Sequence, residues 1–169
     1  NSEVAARIRL LDSVLATRTS SPVNVVWSGT GDVVMTMAAP IVSRMIGYNP
    51  ASAGGVFTFG GTGTLLYGLK IGLEKALPGV FEKGLGGQAV ILCSQAGHYA
   101  CASVAGWLGI GQENVIRVPA LADNSIDVEA FETMAREQLR AGRAIAAIVA
   151  TMGTTDAFGI DDLASLHAV

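Results

Sequence analysis

The chain has 169 residues, 50% of them hydrophobic, with a formal net charge of −3 and a pI of about 5.3. This length suits one domain with a substantial core, and no basic cluster offers the positive surface that nucleic-acid binding requires. The longest apolar stretches are too short to cross a membrane. We therefore expect neither a nucleic-acid partner nor a membrane span.

The cysteines and the first residues indicate the compartment. Cys93 and Cys101 are too few for a disulfide framework, which predicts a reducing environment. The amphipathic start of the chain carries Glu3 and Asp12 and has no signal-peptide apolar region. The expected location is the cytoplasm.

Apolar spacing and glycine or proline breaks predict the elements in chain order. In the first half, helices are expected over residues 2–17, 32–46 and 62–76, with Asp32 as an N-cap, and a short strand over 56–59. In the second half, strands over 88–94, 114–120 and 144–151 alternate with helices over 98–109, over 128–142 after an Asp127 N-cap, and from Asp161 and Asp162 onward. This alternation indicates an α/β fold with a mostly parallel sheet.

Residues 57–69, FTFGGTGTLLYGL, place many glycines directly before a helix, a pattern suited to an anion. A dinucleotide-binding fingerprint would need a glycine where Leu66 stands. A nucleotide-binding P-loop would need its lysine where Leu69 stands, and Lys70 follows one position late, which turns its side chain about 100° around the helix. Both motifs are disfavoured.

Two interpretations of this loop remain. A single phosphate would bind at the helix N-terminus, where the N–H groups of Gly61, Thr62 and Gly63 lack helical partners and the helix dipole favours an anion. A plain glycine turn with a threonine N-cap explains the same residues equally well. The loop by itself does not separate them.

Four segments that follow one another in a fixed order favour the phosphate site over the plain glycine turn. They are FTFGGTGTLLYGLKIG, ILCSQAGHYACASVAGWLGIGQENVIRVP, IDVEAF and AIVATMGTTDAFGIDDL. Together they resemble the pyridoxal-phosphate-dependent amino-acid decarboxylases of group II, which include the glutamate and aromatic-amino-acid decarboxylases. The resemblance covers residues 54–169, which it identifies as the first part of the cofactor-binding large domain. Residues 1–53 match loosely and are expected to form a helical N-terminal segment.

The resemblance implies a type I pyridoxal-phosphate-dependent transferase fold, with a mixed seven-stranded sheet between helices, incomplete in this chain. It implies pyridoxal 5′-phosphate as cofactor, an amino acid as substrate and a homodimer with active sites at the interface. Gly61, Thr62 and Gly63 would bind the cofactor phosphate. His98 would stack on the pyridine ring, and Thr155 would lie near the cofactor and the substrate carboxylate.

The chain departs from the family pattern in three respects. Gly63, Thr64 and Leu65 replace the usual Glu-Ala-Asn, and Ala100 stands where a serine is common. The chain also stops before the aspartate that pairs with the pyridine nitrogen and before the Schiff-base lysine. We therefore expect a fragment that is inactive alone.

Several alternatives stay open. The chain could derive from another type I pyridoxal-phosphate lyase, or from a non-catalytic paralogue that lacks the lysine. Cys93, His98 and Cys101 could be zinc ligands, but three candidates without a fourth make a poor site, and no metal is predicted. Both cysteines are expected to be buried packing residues.

Overall fold

A computed structural model of the chain describes residues 30–52, 55–56 and 58–169. Two compact units divide between Thr58 and Phe59. In the first unit, helix α1 spans Thr30–Met45 and includes Pro40; it begins two residues before the predicted Asp32 cap. The predicted helix over residues 2–17 lies outside the described residues.

The second unit carries the remaining elements. The strands are β1 (Ala89–Ser94), β2 (Val115–Val118) and β3 (Ala144–Val149). The helices are α2 (Gly60–Ala76), α3 (Val80–Lys83), α4 (Ala100–Trp107), α5 (Val128–Arg140) and α6 (Leu163–Ala168), and a 3₁₀ turn covers Gln112–Asn114. Within the described residues, no helix is long and apolar enough to cross a membrane.

The three strands form a parallel sheet in the order β2-β1-β3. Every residue of β1 is buried, which explains why its sequence AVILCS shows no polar alternation. Ile91 pairs with Val115 of β2 and with Ala147 of β3, and a bulge interrupts the β3 register next to Val90. The parallel sheet, whose strands alternate with helices along the chain, confirms the predicted α/β architecture.

Helices cover both faces of the sheet. On one face, Leu69 and Leu73 of α2 and Val104 of α4 pack against Ile91 and Cys93 of β1. On the other face, Val90 and Leu92 of β1 pack with Phe131 of α5 and Leu166 of α6. Successive residues of β1 thus belong to two separate apolar cores, because the side chains of a strand alternate between the two faces of the sheet.

Element ends differ from the predictions for local reasons. Val56 and Thr58 have no regular secondary structure, so the predicted strand over 56–59 is wrong. Strand β2 ends before Pro119, which lacks the N–H that would continue the ladder. The Asp127 cap is confirmed, since its carboxylate accepts the N–H of Ala130 at 3.0 Å.

Helix α2 passes close to β3 at Gly72. A Cβ placed there would collide with the backbone carbonyl of Ala146, whereas a Cβ at Gly68, one turn earlier, meets nothing within 4 Å. The missing side chain at Gly72 therefore sets the distance between helix and sheet.

We expect Gly72→Ala to lower the free energy of unfolding by about 1–2 kcal/mol, because a backbone atom must move to admit the methyl group. Gly68→Ala is the matched control and should raise it by roughly 0.5–1 kcal/mol, since alanine is the better helix former. Chemical denaturation of both variants measures the difference; equal stabilities would contradict the close approach.

Candidate functional site

A cavity of about 440 Å³ opens at the carboxyl ends of β1 and β3. Its wall consists of Gly61, Thr62, Leu65, Cys93, Gly97, His98, Ala100, Cys101 and residues 149–155. Three separate segments thus meet there: the start of α2, the turn between β1 and α4, and the loop after β3.

The start of α2 has the features of an anion site. The helix is 17 residues long, its first turn carries no acidic residue and its N-cap, Phe59, makes no side-chain capping bond. Gly61 and Thr62 line the cavity, and a Cβ at Gly61 would meet nothing within 4 Å, so space exists beside the backbone. The positive end of the helix dipole and the first backbone amides of α2 therefore lie at the cavity wall. Gly63 is buried in the helix and does not line the cavity.

His98 lies exposed on the cavity wall. Its Nδ1 accepts the backbone N–H of Ala100 at 3.1 Å, which in the neutral ring leaves the proton on Nε2. The ring also stacks on Tyr99, with centroids 4.2 Å apart and planes at 30°. The hydrogen bond and the stacking limit the orientations that the imidazole can take.

Hydrogen bonds from Arg117 on the neighbouring strand β2 hold the turn that precedes His98. The N–H of Gly97 donates to the Ser94 carbonyl at 3.0 Å, and a Cβ at Gly97 would sit 3.0 Å from that oxygen, so the turn favours glycine. The Arg117 guanidinium, from β2, donates to the carbonyls of Ser94 and Gly97, both at 3.3 Å. Arg117 thereby fixes the residue that precedes His98.

The loop after β3 closes on itself. The N–H groups of Gly153 and Thr154 donate to the Gly159 carbonyl at 3.1 and 3.0 Å, and the Gly159 N–H donates to Oγ1 of Thr154 at 2.9 Å. Thr154 is buried by these contacts, whereas Thr155 remains exposed on the cavity wall. The two threonines of the GTT segment therefore both line the cavity but differ in exposure, since Thr154 is bonded within the loop and Thr155 is exposed.

Asp161 anchors this loop to the rest of the unit. It is 2% exposed. Its Oδ1 accepts the Ile126 N–H at 2.7 Å and its Oδ2 accepts the Thr151 N–H at 2.6 Å. The prediction that Asp161 opens the last helix is wrong, since Asp162 alone is the N-cap, accepting from Ala164 and Ser165. The sequence carried no signal for the buried bridge, because its partners are backbone groups distant along the chain.

Cys93 and Cys101 both lie at the base of the cavity. Both are buried in the core cluster of the α2 and α4 face, as predicted, and both also line the cavity. The hydrogen bond from Cys93, together with the charge of Arg117, lowers the pKa of Cys101 to about 7. The same hydrogen bond, followed by burial, raises the pKa of the Cys93 thiol. Cys101 is thus the more acidic thiol.

The structure brings together four of the five residues singled out from the sequence: Gly61, Thr62, His98 and Thr155. Arg117, Asp161 and the thiol pair at the base of the cavity were missed as parts of the site. Among the described residues, no cluster of three or more His, Cys, Asp or Glu side chains could hold a metal ion.

No protein-family model matches the chain. It is 28% identical over 158 residues to an L-2,4-diaminobutyrate decarboxylase of Acinetobacter baumannii, covering 84% of this chain and 31% of that protein. This similar protein is an amino-acid decarboxylase.

Solved structures agree with this comparison. The glutamate decarboxylase domain of a diaminobutyrate-pyruvate transaminase and L-2,4-diaminobutyrate decarboxylase from Vibrio parahaemolyticus matches with a TM-score of 0.76 at 26% identity, over 93% of this chain and 36% of that one. Oryza sativa TDC, solved with PLP and tryptamine, shares the fold with a TM-score of 0.68 at 18% identity, over 79% of this chain and 29% of that one.

The fold is therefore that of the type I pyridoxal-phosphate-dependent decarboxylases, present in part. The chain spans about a third of the length of the relatives it matches.

We expect Asp161→Asn to lower the free energy of unfolding by about 1–3 kcal/mol, because one of the two buried amide donors loses its acceptor and faces an NH₂ group. Amide hydrogen exchange should speed up at Thr151 or Ile126. Asp162→Asn removes the same charge one residue away and should change little, since asparagine caps helices as well as aspartate does. Equal effects of the two substitutions would contradict the bridge.

Alkylation by iodoacetamide should show that Cys101 reacts with a pH midpoint near its pKa of about 7, because the thiolate is the nucleophile. Cys93 should stay unmodified over the same range, since its pKa is raised. Peptide mapping distinguishes the two sites. A midpoint near 9 at Cys101, or faster labelling of Cys93, would contradict the assignment.

Proposed function

We propose that the protein to which this chain belongs is a group II pyridoxal-phosphate-dependent decarboxylase of amino acids, and that this chain supplies its phosphate loop and ring-stacking histidine. The observation that carries the proposal is the convergence of Gly61, Thr62, His98 and Thr155 on one cavity. These residues come from three segments, and the decarboxylase resemblance had already singled them out.

The start of α2 would bind the cofactor phosphate. Backbone N–H groups at Gly61 and Thr62, the Thr62 hydroxyl and the helix dipole all favour a dianion there. The absence of acidic residues from the first turn of the helix supports this role. Gly63, buried within the helix, would contribute through its backbone alone.

His98, also on the cavity wall, would lie against the pyridine ring. A flat imidazole can stack on a pyridinium, and its Nδ1 bond to Ala100 would keep the ring plane in place. Nε2 would hold or move a proton near the substrate Cα, as an imidazole can do in general acid–base catalysis. The exposed Thr155 hydroxyl would donate to the substrate carboxylate.

Bound pyridoxal phosphate would supply an electron sink for the charge left when the carboxylate departs as CO₂. This chain would orient the substrate and exclude water. Its three lysines, Lys70, Lys75 and Lys83, do not line the cavity, so the lysine that bonds the cofactor would come from elsewhere in the protein. A homodimer in the cytoplasm, with active sites completed at the interface, fits the same proposal.

Binding of the phosphate can be tested with pyridoxine 5′-phosphate, which carries no aldehyde and so cannot bond to surface lysines. Gly61→Glu should weaken its affinity about tenfold, since the new carboxylate repels the phosphate at the helix N-terminus. Gly68→Glu, on the exposed side of the same helix, is the matched control and should change little. Pyridoxine, which lacks the phosphate, should bind both variants alike. Equal affinities for the phosphate ester would contradict the phosphate site.

The reaction itself can be tested with the complete gene product. CO₂ should be released from an amino acid, and His98→Ala should reduce turnover roughly 10²-fold while pyridoxine 5′-phosphate still binds. Unchanged turnover would remove His98 from the mechanism. Another product without CO₂ would favour a different type I lyase. Failure of borohydride to fix pyridoxal phosphate on a lysine would favour a non-catalytic paralogue.

A further inference from the structure

The thiol pair at the base of the cavity has no part in the proposed decarboxylation. Cys93 is the last but one residue of β1, and Cys101 is the second residue of α4. Both side chains belong to the same buried core cluster, and the neighbouring Cys101 is the main cause that raises the pKa of the Cys93 thiol. They are the only cysteines in the sequence, and both line the cavity.

The surroundings make the two sulfurs unequal. Arg117 is the register partner of Cys93 on β2, so its side chain leaves the same face of the sheet. Its positive charge favours a thiolate at both sulfurs. Cys101 also lies in the first turn of α4, where the helix dipole favours an anion. Cys101 is therefore the nucleophile, and Cys93 is the neighbour that retains its proton.

We propose that Cys101 and Cys93 form a peroxide-sensitive dithiol, in which Cys101 attacks a small hydroperoxide that enters through the cavity and Cys93 then closes an intramolecular disulfide. The cavity gives a molecule the size of hydrogen peroxide a route to sulfurs that are otherwise shielded from solvent.

The two steps balance. The Cys101 thiolate attacks one peroxide oxygen, an S–O bond forms, the O–O bond breaks, and the departing oxygen takes a proton to leave as water. The Cys93 sulfur then attacks the sulfenic sulfur, an S–S bond forms, and hydroxide leaves as water with the proton from Cys93. One hydrogen peroxide is reduced, two thiols are oxidised and two waters are released.

The disulfide would act directly on the cavity. It would link the end of β1 to the start of α4 across the turn that carries Gly97 and His98. Because a disulfide holds its two Cα atoms within a narrow range of distances, this turn would be fixed in one conformation. The oxidised and reduced chains should therefore differ in the environment of His98.

The experiment treats the folded 169-residue chain with hydrogen peroxide, blocks free thiols and maps the peptides by mass spectrometry. A disulfide between Cys93 and Cys101 is expected within single chains, reversible by dithiothreitol. Cys93→Ala should stop at a sulfenic acid on Cys101 that dimedone traps. Cys101→Ala should leave Cys93 about tenfold less reactive, because its thiol carries little thiolate at neutral pH.

Should either variant fail to fold, the unsubstituted chain still decides the question. Disulfide formation should be about tenfold faster in the folded chain than in concentrated urea, where the proximity of the two thiols and the charge of Arg117 are lost. The histidine NMR signals of the oxidised and reduced chains should differ at His98 and coincide at His167. Disulfides between chains, first labelling of Cys93 by dimedone, or equal rates with and without urea would each overturn the proposal.

Discussion

Everything at this site depends on the parallel course of the three strands. Parallel strands end at the same edge of a sheet, so the chain must leave β1 and β3 side by side. After β1 it enters α4, which packs with α2 on one face; after β3 it leads to α6 on the other. Departing in opposite directions, the two connections leave a crevice between them, which is where doubly wound sheets bind ligands.

The crevice has a rigid wall because side chains from neighbouring segments satisfy the loop backbone. Asp161 accepts from Thr151 and Ile126, Arg117 donates to two carbonyls of the β1–α4 turn, and Thr154 accepts within its own loop. The bonds of Arg117 and the bond between Asp161 and Ile126 join residues that lie 20 to 35 positions apart along the sequence. Loops held in this way can present His98 and Thr155 in a fixed geometry before any ligand arrives.

Two cysteines at the base of the cavity contribute both to the packing of the core and to the chemistry of the site. Cys93 and Cys101 belong to the apolar core of one face and also meet the cavity. A buried thiol is inert among apolar neighbours, but Arg117 and the first turn of α4 add positive potential at this point. The same two side chains can therefore stabilise the fold and react with a small oxidant.

The sequence by itself determined the order of elements, the α/β class and four residues of the cavity wall, since these follow from apolar period, turn residues and the ordered decarboxylase-like motifs. It also identified Asp127 as a cap, because a cap acts within one turn of the helix. It did not reveal the bonds that Asp161 accepts from Thr151 and Ile126, the bonds that Arg117 donates to the β1–α4 turn, or the place of both thiols on the cavity wall. These depend on strand order and register, which bring distant residues together and which only the tertiary structure decided.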